Sequence, residues 1–332
     1  MNKTVLIFIS ILCIFISCKH EYKTIGTIER VDPALDSIIS KDAKIEIIAD
    51  SFAWSEGPLW IDDKKMLLFS DIPNNTVYKW TEEKGKEVYL KPSGYSSSVQ
   101  RGGETGSNGL LLNKQGHLVL CQHGDRRVAL MVADIDTPYA SYKTIAGSYE
   151  GKKFNSPNDA VYRSNGDLFF TDPPYGLEKN MDDPLKELSF QGVYKVDRYG
   201  AVKLLTDTIT RPNGIAFLPG EKTLLIGNSD SAKPFIYAYD LDANDSLINP
   251  RIFCNGASLP TSDKGAFDGM KVDKNGNIFT AGPGGVWILN KDGKPLGEIK
   301  LPVQNSNCVL TPDEKTIFIT ADMYVLRVKM RQ

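Results

Sequence analysis

The chain has 332 residues, 41% of them hydrophobic and 24% charged, which is the composition of a globular protein with a sizeable core. Its formal charge is −2, and acidic and basic residues are interspersed without any run of Lys or Arg. That lacks the electrostatic footprint of a nucleic-acid binder, and no nucleic-acid partner is expected.

The chain opens with Lys3, an apolar stretch from Val5 to Ile16, then Ser17-Cys18. A basic start, a short apolar run and a small residue before a cut describe a secretory signal over residues 1–17. The run is short of the ~20 apolar residues that span a bilayer. Ile16-Ser17-Cys18 resembles a bacterial lipobox, although Phe15 is not the usual aliphatic residue there. Export to the cell envelope with a lipid on Cys18 is therefore expected, plain secretion being the alternative. Residues 18–42 read as a tether and lead-in, and 43–332 as the folded domain. Beyond the leader, Cys121, Cys254 and Cys308 are odd in number and irregularly spaced, which argues for buried core thiols.

An orphan strand, Lys44-IEIIA, comes next. Six similar segments follow, headed by Glu56, Asn108, Asn158, Asn213, Asp268 and Asn307, at separations of 52, 50, 55, 55 and 39 residues. Each continues with an alternating strand, a turn and a second apolar strand. A third strand recurs (VYKW, RRVALM, GVYKVD, FIYAYD, GVWILN, YVLRVK), and in most a fourth. Repeats of this length made of short strands are propeller blades. The sixth repeat ends after its third strand, so the orphan N-terminal strand is expected to complete it and close the ring. The prediction is an all-β, six-bladed β-propeller.

First strands of propeller blades line the central channel, so the six heading residues share one ring. Six oxygen-bearing side chains, two of them carboxylates, suit a hard divalent cation. The alternative is a turn signature, because Asn, Asp and Gly favour turns; Glu56 argues against it. Two long insertions, 93–107 and 176–190, are candidate lids, the second with room for a short helix. No G-x-S-x-G occurs. Of the three histidines, His20 lies in the tether and His117 in a turn, so only His123 could join a triad, and no partner serine is marked. His123 reads either as a substrate contact or proton shuttle at the channel mouth, or as a hydrogen-bonded turn residue. Arg127 reads as a structural ion pair. Tyr175, after the rigid Asp172-Pro173-Pro174 turn, reads as a substrate contact, the alternative being aromatic packing on neighbouring loops, and Asp71 and Asp172 read as turn or supporting hydrogen-bond partners.

The segments Glu56-GPLW, Ser107-NGL, CQHGDRRV at 121–128, Asn155-SPNDA, TDPPYGL at 171–177, Phe190-QGVYKVD, Arg211-PNGIAF and Asp268-GMKVD resemble the gluconolactonase and regucalcin (senescence marker protein) family over nearly all of residues 44–330. The resemblance implies a six-bladed propeller with one axial divalent ion, Ca²⁺ first, with Mg²⁺, Mn²⁺ or Zn²⁺ as alternatives. Its ligands would be Glu56, Asn158, Asn213 and Asp268. It implies hydrolysis of a lactone, typically a sugar lactone, by a metal-polarised carbonyl and a metal-activated water, with Asp268 also taking the water's proton. Asn108 is then left as a substrate or water contact and Asn307 as a turn residue. Regucalcin-like members carry Arg at the position of Ser156, so sugar hydroxyls would be read differently here. Phe267 replaces a common Pro without touching a ligand. Hydrolysis of phosphoesters or aryl esters on the same site, or ligand binding around a structural ion, are the competing functions. A monomer is expected.

Overall fold

The computed structural model describes residues 21–331; the predicted leader, Cys18 and His20 lie outside the described residues. Six antiparallel sheets stand around one axis. Blade one is Ser55–Ile61, Met66–Asp71, Thr76–Thr81 and Gly85–Leu90. Blade two is Ser107–Leu112, Leu118–Gln122, Arg127–Met131 and Tyr142–Ala146. Blade three is Ala160–Tyr162, Leu168–Asp172, Gly192–Val196 and Val202–Thr206. Blade four is Pro212–Phe217, Thr223–Asn228, Phe235–Leu241 and Leu247–Asn255. Blade five is Met270–Val272, Ile278–Gly282, Gly285–Leu289 and Pro295–Lys300. Blade six is Asn307–Leu310, Thr316–Ala321 and Tyr324–Lys329, completed on its outside by Ile45–Ala49. The innermost strands of successive blades touch around a closed circuit, the sixth against the first. The N-terminal strand closes the ring as expected. Among the described residues the helical segments are short 3₁₀ turns.

The second strand of each blade is an almost wholly buried apolar run, because neighbouring blades cover both its faces. Its alternate residues point to opposite neighbours. Leu68 packs toward blade two, whereas Leu67 and Phe69 pack toward blade six. One hydrophobic cluster fills each of the six junctions in this way. Cys121, Cys254 and Cys308 are buried free thiols within these clusters, as the sequence suggested.

The expected tether of residues 18–42 is corrected by the structure wherever it is described. Lys23 and Ile25 hydrogen-bond along Ile45–Ile47, and Thr27–Arg30 adds a fifth, outermost strand to blade five. Leu35 and Ile39 of the following segment are fully buried against blades five and six. Arg30 donates to the carbonyls of Ile39 and Ser40 and pairs with Asp36 at 2.7 Å. The apolar residues of this lead-in are few and widely spaced, which is why they read as linker.

Candidate metal centre and its cleft

The six heading residues converge at one end of the channel. Glu56, Asn108, Asn158, Asn213 and Asn307 are 2–3% exposed, and Asp268 is half-buried. The chain bulges at this point in blades one, two and four, and in blades three and five the ladder begins two residues later. These irregularities turn the side chains of Glu56, Asn108 and Asn213 off the regular alternation. The residue after each heading residue is Gly in four blades because the next blade is so close: its backbone at Gly57, Gly109 and Gly214, and the Asn307 side chain at Gly269. A Cβ on Gly57 would lie 2.0 Å from the carbonyl oxygen of Asn108, and one on Gly214 2.2 Å from that of Asp268.

Hydrogen bonds join the blades all the way round this level. Ser70 Oγ donates to Asn108 O (2.9 Å), Gly109 N to Asn158 O (2.8 Å) and Thr171 Oγ1 to Asn213 O (2.8 Å). Ser229 Oγ donates to Phe267 O (2.6 Å), Gly269 N to Ser306 O (2.8 Å) and Ser306 Oγ to Ser55 O (2.8 Å). The ring side chains therefore hang from a backbone fixed at every junction. Residues ending the second strands brace it from above: Asp71 accepts from Ala53 N and Trp54 N, Asp172 from Asn155 N and Ser156 N, and Asn228 from Arg211 N. Asp71 and Asp172 thus hold the supporting role read from sequence, and burial pushes Asp172 up to about 7.

Electrostatics single out Glu56 and Asp268. Burial pushes the Glu56 carboxyl up to about 8, against the opposing hydrogen bond from its neighbour Gly57 N (2.6 Å). Burial, and then the Glu56 charge, push Asp268 well above the carboxylate range. Asp268 Oδ1 and Asn108 Oδ1 are buried with no hydrogen-bond partner. Two desolvated, mutually repelling carboxylates with orphaned oxygens beside them fit a hard cation, which would neutralise both. Asn213 donates Nδ2 to Ser229 Oγ (2.9 Å), so its carbonyl oxygen is left to face such an ion. Among the described residues no group of three or more His, Cys, Asp and Glu side chains is gathered for metal binding; this donor set is two carboxylates completed by amides.

Asn307 has more to do than terminate a turn. It lies in the innermost strand of blade six, and its Nδ2 donates to Glu56 Oε2 (3.2 Å). A cleft of about 490 Å³ opens beside Asp268, lined also by Trp54, Ser229, Gln304 and Asn305. Tyr175 is half-buried close by: burial and then the Asp268 charge raise its phenol. Ser156, standing where relatives carry Arg, donates to Pro173 O (2.5 Å) and accepts from Gly176 N (2.9 Å), so it fixes the turn that presents Tyr175. His123 is fully buried and does not line the cleft. Its Nδ1 stands 3.2 Å from Glu104 Oε2, in the 93–107 insertion. Glu104 carried no motif and passed unnoticed in the sequence, as did Trp54. Arg127 is structural, held by Gln122, Asp125 and Thr144.

The two insertions pack on each other. Arg101 donates to Gly176 O (2.8 Å) and Gly124 O (3.1 Å), and Gly102 and Gly103 lie against Glu178. The short helix expected in the second is a 3₁₀ turn, Asn180–Asp182.

Six blades around one axis, six oxygen-bearing side chains heading their innermost strands and a cleft beside one of them, Asp268, define the class: a six-bladed β-propeller with a polar ring. The chain belongs to the SMP-30/Gluconolactonase/LRE-like family, which matches residues 54–322. It is 39% identical over 315 residues to a gluconolactonase of Zymomonas mobilis, covering 93% of this chain and 87% of that protein. A gluconolactonase of Xanthomonas campestris superposes with a TM-score of 0.80 at 27% identity, over 94% of this chain and 98% of that one. A calcium-binding protein, regucalcin, of Agrobacterium tumefaciens shares the fold, with a TM-score of 0.64 at 18% identity over 86% of this chain and 94% of the other.

Proposed function

We propose that this protein is a divalent-cation-dependent lactonase that opens a sugar lactone in the cleft beside Asp268. The observation that carries the reading is the pair Glu56 and Asp268: burial raises both carboxyls, the Glu56 charge raises Asp268 further, and Asp268 lines a cleft. The similarity to gluconolactonases sets the substrate class. Glu56, Asn158, Asn213 and Asp268 would hold the cation, with Ca²⁺ the favoured ion. When bound, the cation supplies a Lewis acid for the lactone carbonyl and lowers the pKa of an attacking water.

The chain's own residues do the rest. Asp268, the ring carboxylate that lines the cleft, takes the water's proton. Asn307 holds Glu56 through one oxygen, and Ser229 holds Asn213. Trp54, which lines the cleft, offers a flat face to a ring substrate, and on this reading the Tyr175 phenol and the unpaired Asn108 carbonyl oxygen are further contacts. The test is lactone opening on glucono-δ-lactone, followed by proton release, with Asp268→Asn beside the wild type. Loss of a general base predicts a fall in kcat of roughly 100-fold or more. Full turnover by Asp268→Asn would remove it from this role.

We also propose export to the cell envelope through the 1–17 leader, with a lipid on Cys18. Labelled palmitate should enter the wild-type protein in bacteria and not Cys18→Ala; equal labelling would discard the anchor.

A further inference from the structure

One buried carboxyl takes no part in the ring. Glu298 lies in the fourth strand of blade five, Pro295–Lys300, and is 1% exposed. The N-terminal strand Thr27–Arg30 runs along it, and the register sets Glu29 directly opposite Glu298, with Trp287 opposite on the other side. Like charges directly opposed across two strands repel. Glu298 Oε1 has no hydrogen-bond partner. An ionised carboxylate in that setting gives up water and gains no donor in return. Burial pushes the Glu298 carboxyl up to about 7, against the pull of Lys300 and with the repulsion of Glu29 and Asp263. Those three charges reach it from its own strand, from the N-terminal strand and from the segment between blades four and five.

Asp263 connects this carboxyl to the cleft. Asp263, its neighbours Lys264 and Gly265, and Gly284 all line the cleft. Gly284 has φ 83°, and a Cβ on it would lie 2.7 Å from both Asp263 Oδ2 and Glu298 Oε1. One glycine of the cleft wall is therefore flanked by both carboxylates. Lys300 Nζ stands 3.3 Å from Asp263 Oδ2 and 3.7 Å from Glu29 Oε1. Thr261 Oγ1 donates to Asp263 Oδ2 (3.2 Å) and accepts from Asp263 N (3.1 Å). While Glu298 holds a proton, one lysine serves two carboxylates. Once it ionises, three carboxylates share that lysine, and the buried one has the greatest need of it. We propose that Glu298 is a positioning residue for the cleft wall: neutral, it leaves Lys300 to hold Asp263 in place, and ionised, it draws Lys300 away and repels Asp263, so that the lactone binds more weakly. The wall and the N-terminal strand are thereby linked, because Glu29 shares the same lysine.

This rests on the lactonase reading, and the test separates the two. Wild type, Glu298→Gln and Asp263→Asn are assayed on glucono-δ-lactone from pH 5.5 to 8, with spontaneous opening subtracted. Ca²⁺ is kept saturating, so that the proton on Glu56 is displaced throughout. The wild-type KM should rise roughly five-fold or more across pH 7, while kcat moves less. Glu298→Gln, which stays neutral, should hold one KM over the whole range. Asp263→Asn removes the repelled charge and leaves the buried carboxyl in place, so its KM step should shrink. A group raised in the fold stabilises at low pH and loses that contribution as pH rises from its unfolded to its folded value. The melting temperature of Glu298→Gln should therefore climb relative to wild type between pH 5 and pH 8. A wild-type KM without a step, or a step undiminished in either variant, would overturn the assignment while leaving the lactonase reading intact. In the second case the titration would belong to another buried carboxyl, such as Asp172. A wild type inert on every lactone tried would overturn both.

Discussion

Glu56 carries the most informative ionisation in the molecule. Burial pushes its carboxyl up to about 8 in the fold, from an ordinary value of 4.5. The native state therefore holds a proton that the unfolded chain releases between about pH 4.5 and 8. Stability of the cation-free protein should fall as pH rises through that window. A divalent cation competes with the same proton, so it should bind weakly at pH 5 and strongly at pH 8.5. The expected result is a chelated protein that melts at a lower temperature at pH 8.5 than at pH 5, with added Ca²⁺ raising the melting point far more at pH 8.5. A cation effect independent of pH would remove Glu56 from the site. At this scale the sequence showed the ring, since six oxygen-bearing residues headed six repeats. It hid the partners. Asn307 as a brace for Glu56, Ser156 as a tie for the Tyr175 turn and Glu104 as a neighbour of His123 all depend on contacts between different segments, from about 20 to 251 positions apart.

Among the elements, the innermost strands do two jobs at once. They carry the ring side chains, and they lie so close that the following residue has no room for a Cβ in four blades. Gly214 tests this. Its φ is not in the left-handed region, so Gly214→Ala probes space and not backbone strain. An added methyl 2.2 Å from Asp268 O must push blade five outward. Overpacking of this kind costs about 1–3 kcal/mol. The substitution should lower urea stability by that amount and also weaken cation binding, because Asp268 moves. Unchanged cation affinity would show that the spacing of the blades does not set the site. The insertions were visible as long Ser/Gly-rich and polar stretches. Their packing on each other through Arg101 was not, because one arginine among polar residues carries no periodic signal.

The whole ring depends on how its two ends are joined. Ile45–Ala49 completes blade six, and the nearly buried Arg327 ties the closure, donating to Glu46 Oε2 (2.7 Å) and to Glu82 of blade one while lying over Trp80. The six blades and the closing strand were legible because each repeat alternates cleanly and the sixth visibly lacks a strand. The fifth strand on blade five was not, since Thr27–Arg30 is short, half polar and paired to a strand some 270 positions away. A chain starting at residue 43 would still have its closing strand, but would lose Leu35, Ile38 and Ile39 from the core between blades five and six. Burial of three such side chains is worth on the order of 5 kcal/mol. That truncation should be less stable to urea by about this amount than a chain starting at residue 21; equal stability would return residues 21–42 to the status of a tether.

The central claim is that the cation held at Glu56 and Asp268 is required to open a lactone. The most direct measurement is the rate on glucono-δ-lactone after thorough chelation, followed by return of Ca²⁺, Mg²⁺, Mn²⁺ or Zn²⁺ one at a time. Activity should vanish on chelation and return with at least one ion in the wild type, and return with none in the Glu56→Gln, Asp268→Asn double variant. Lactone opening that survives chelation unchanged would contradict the account.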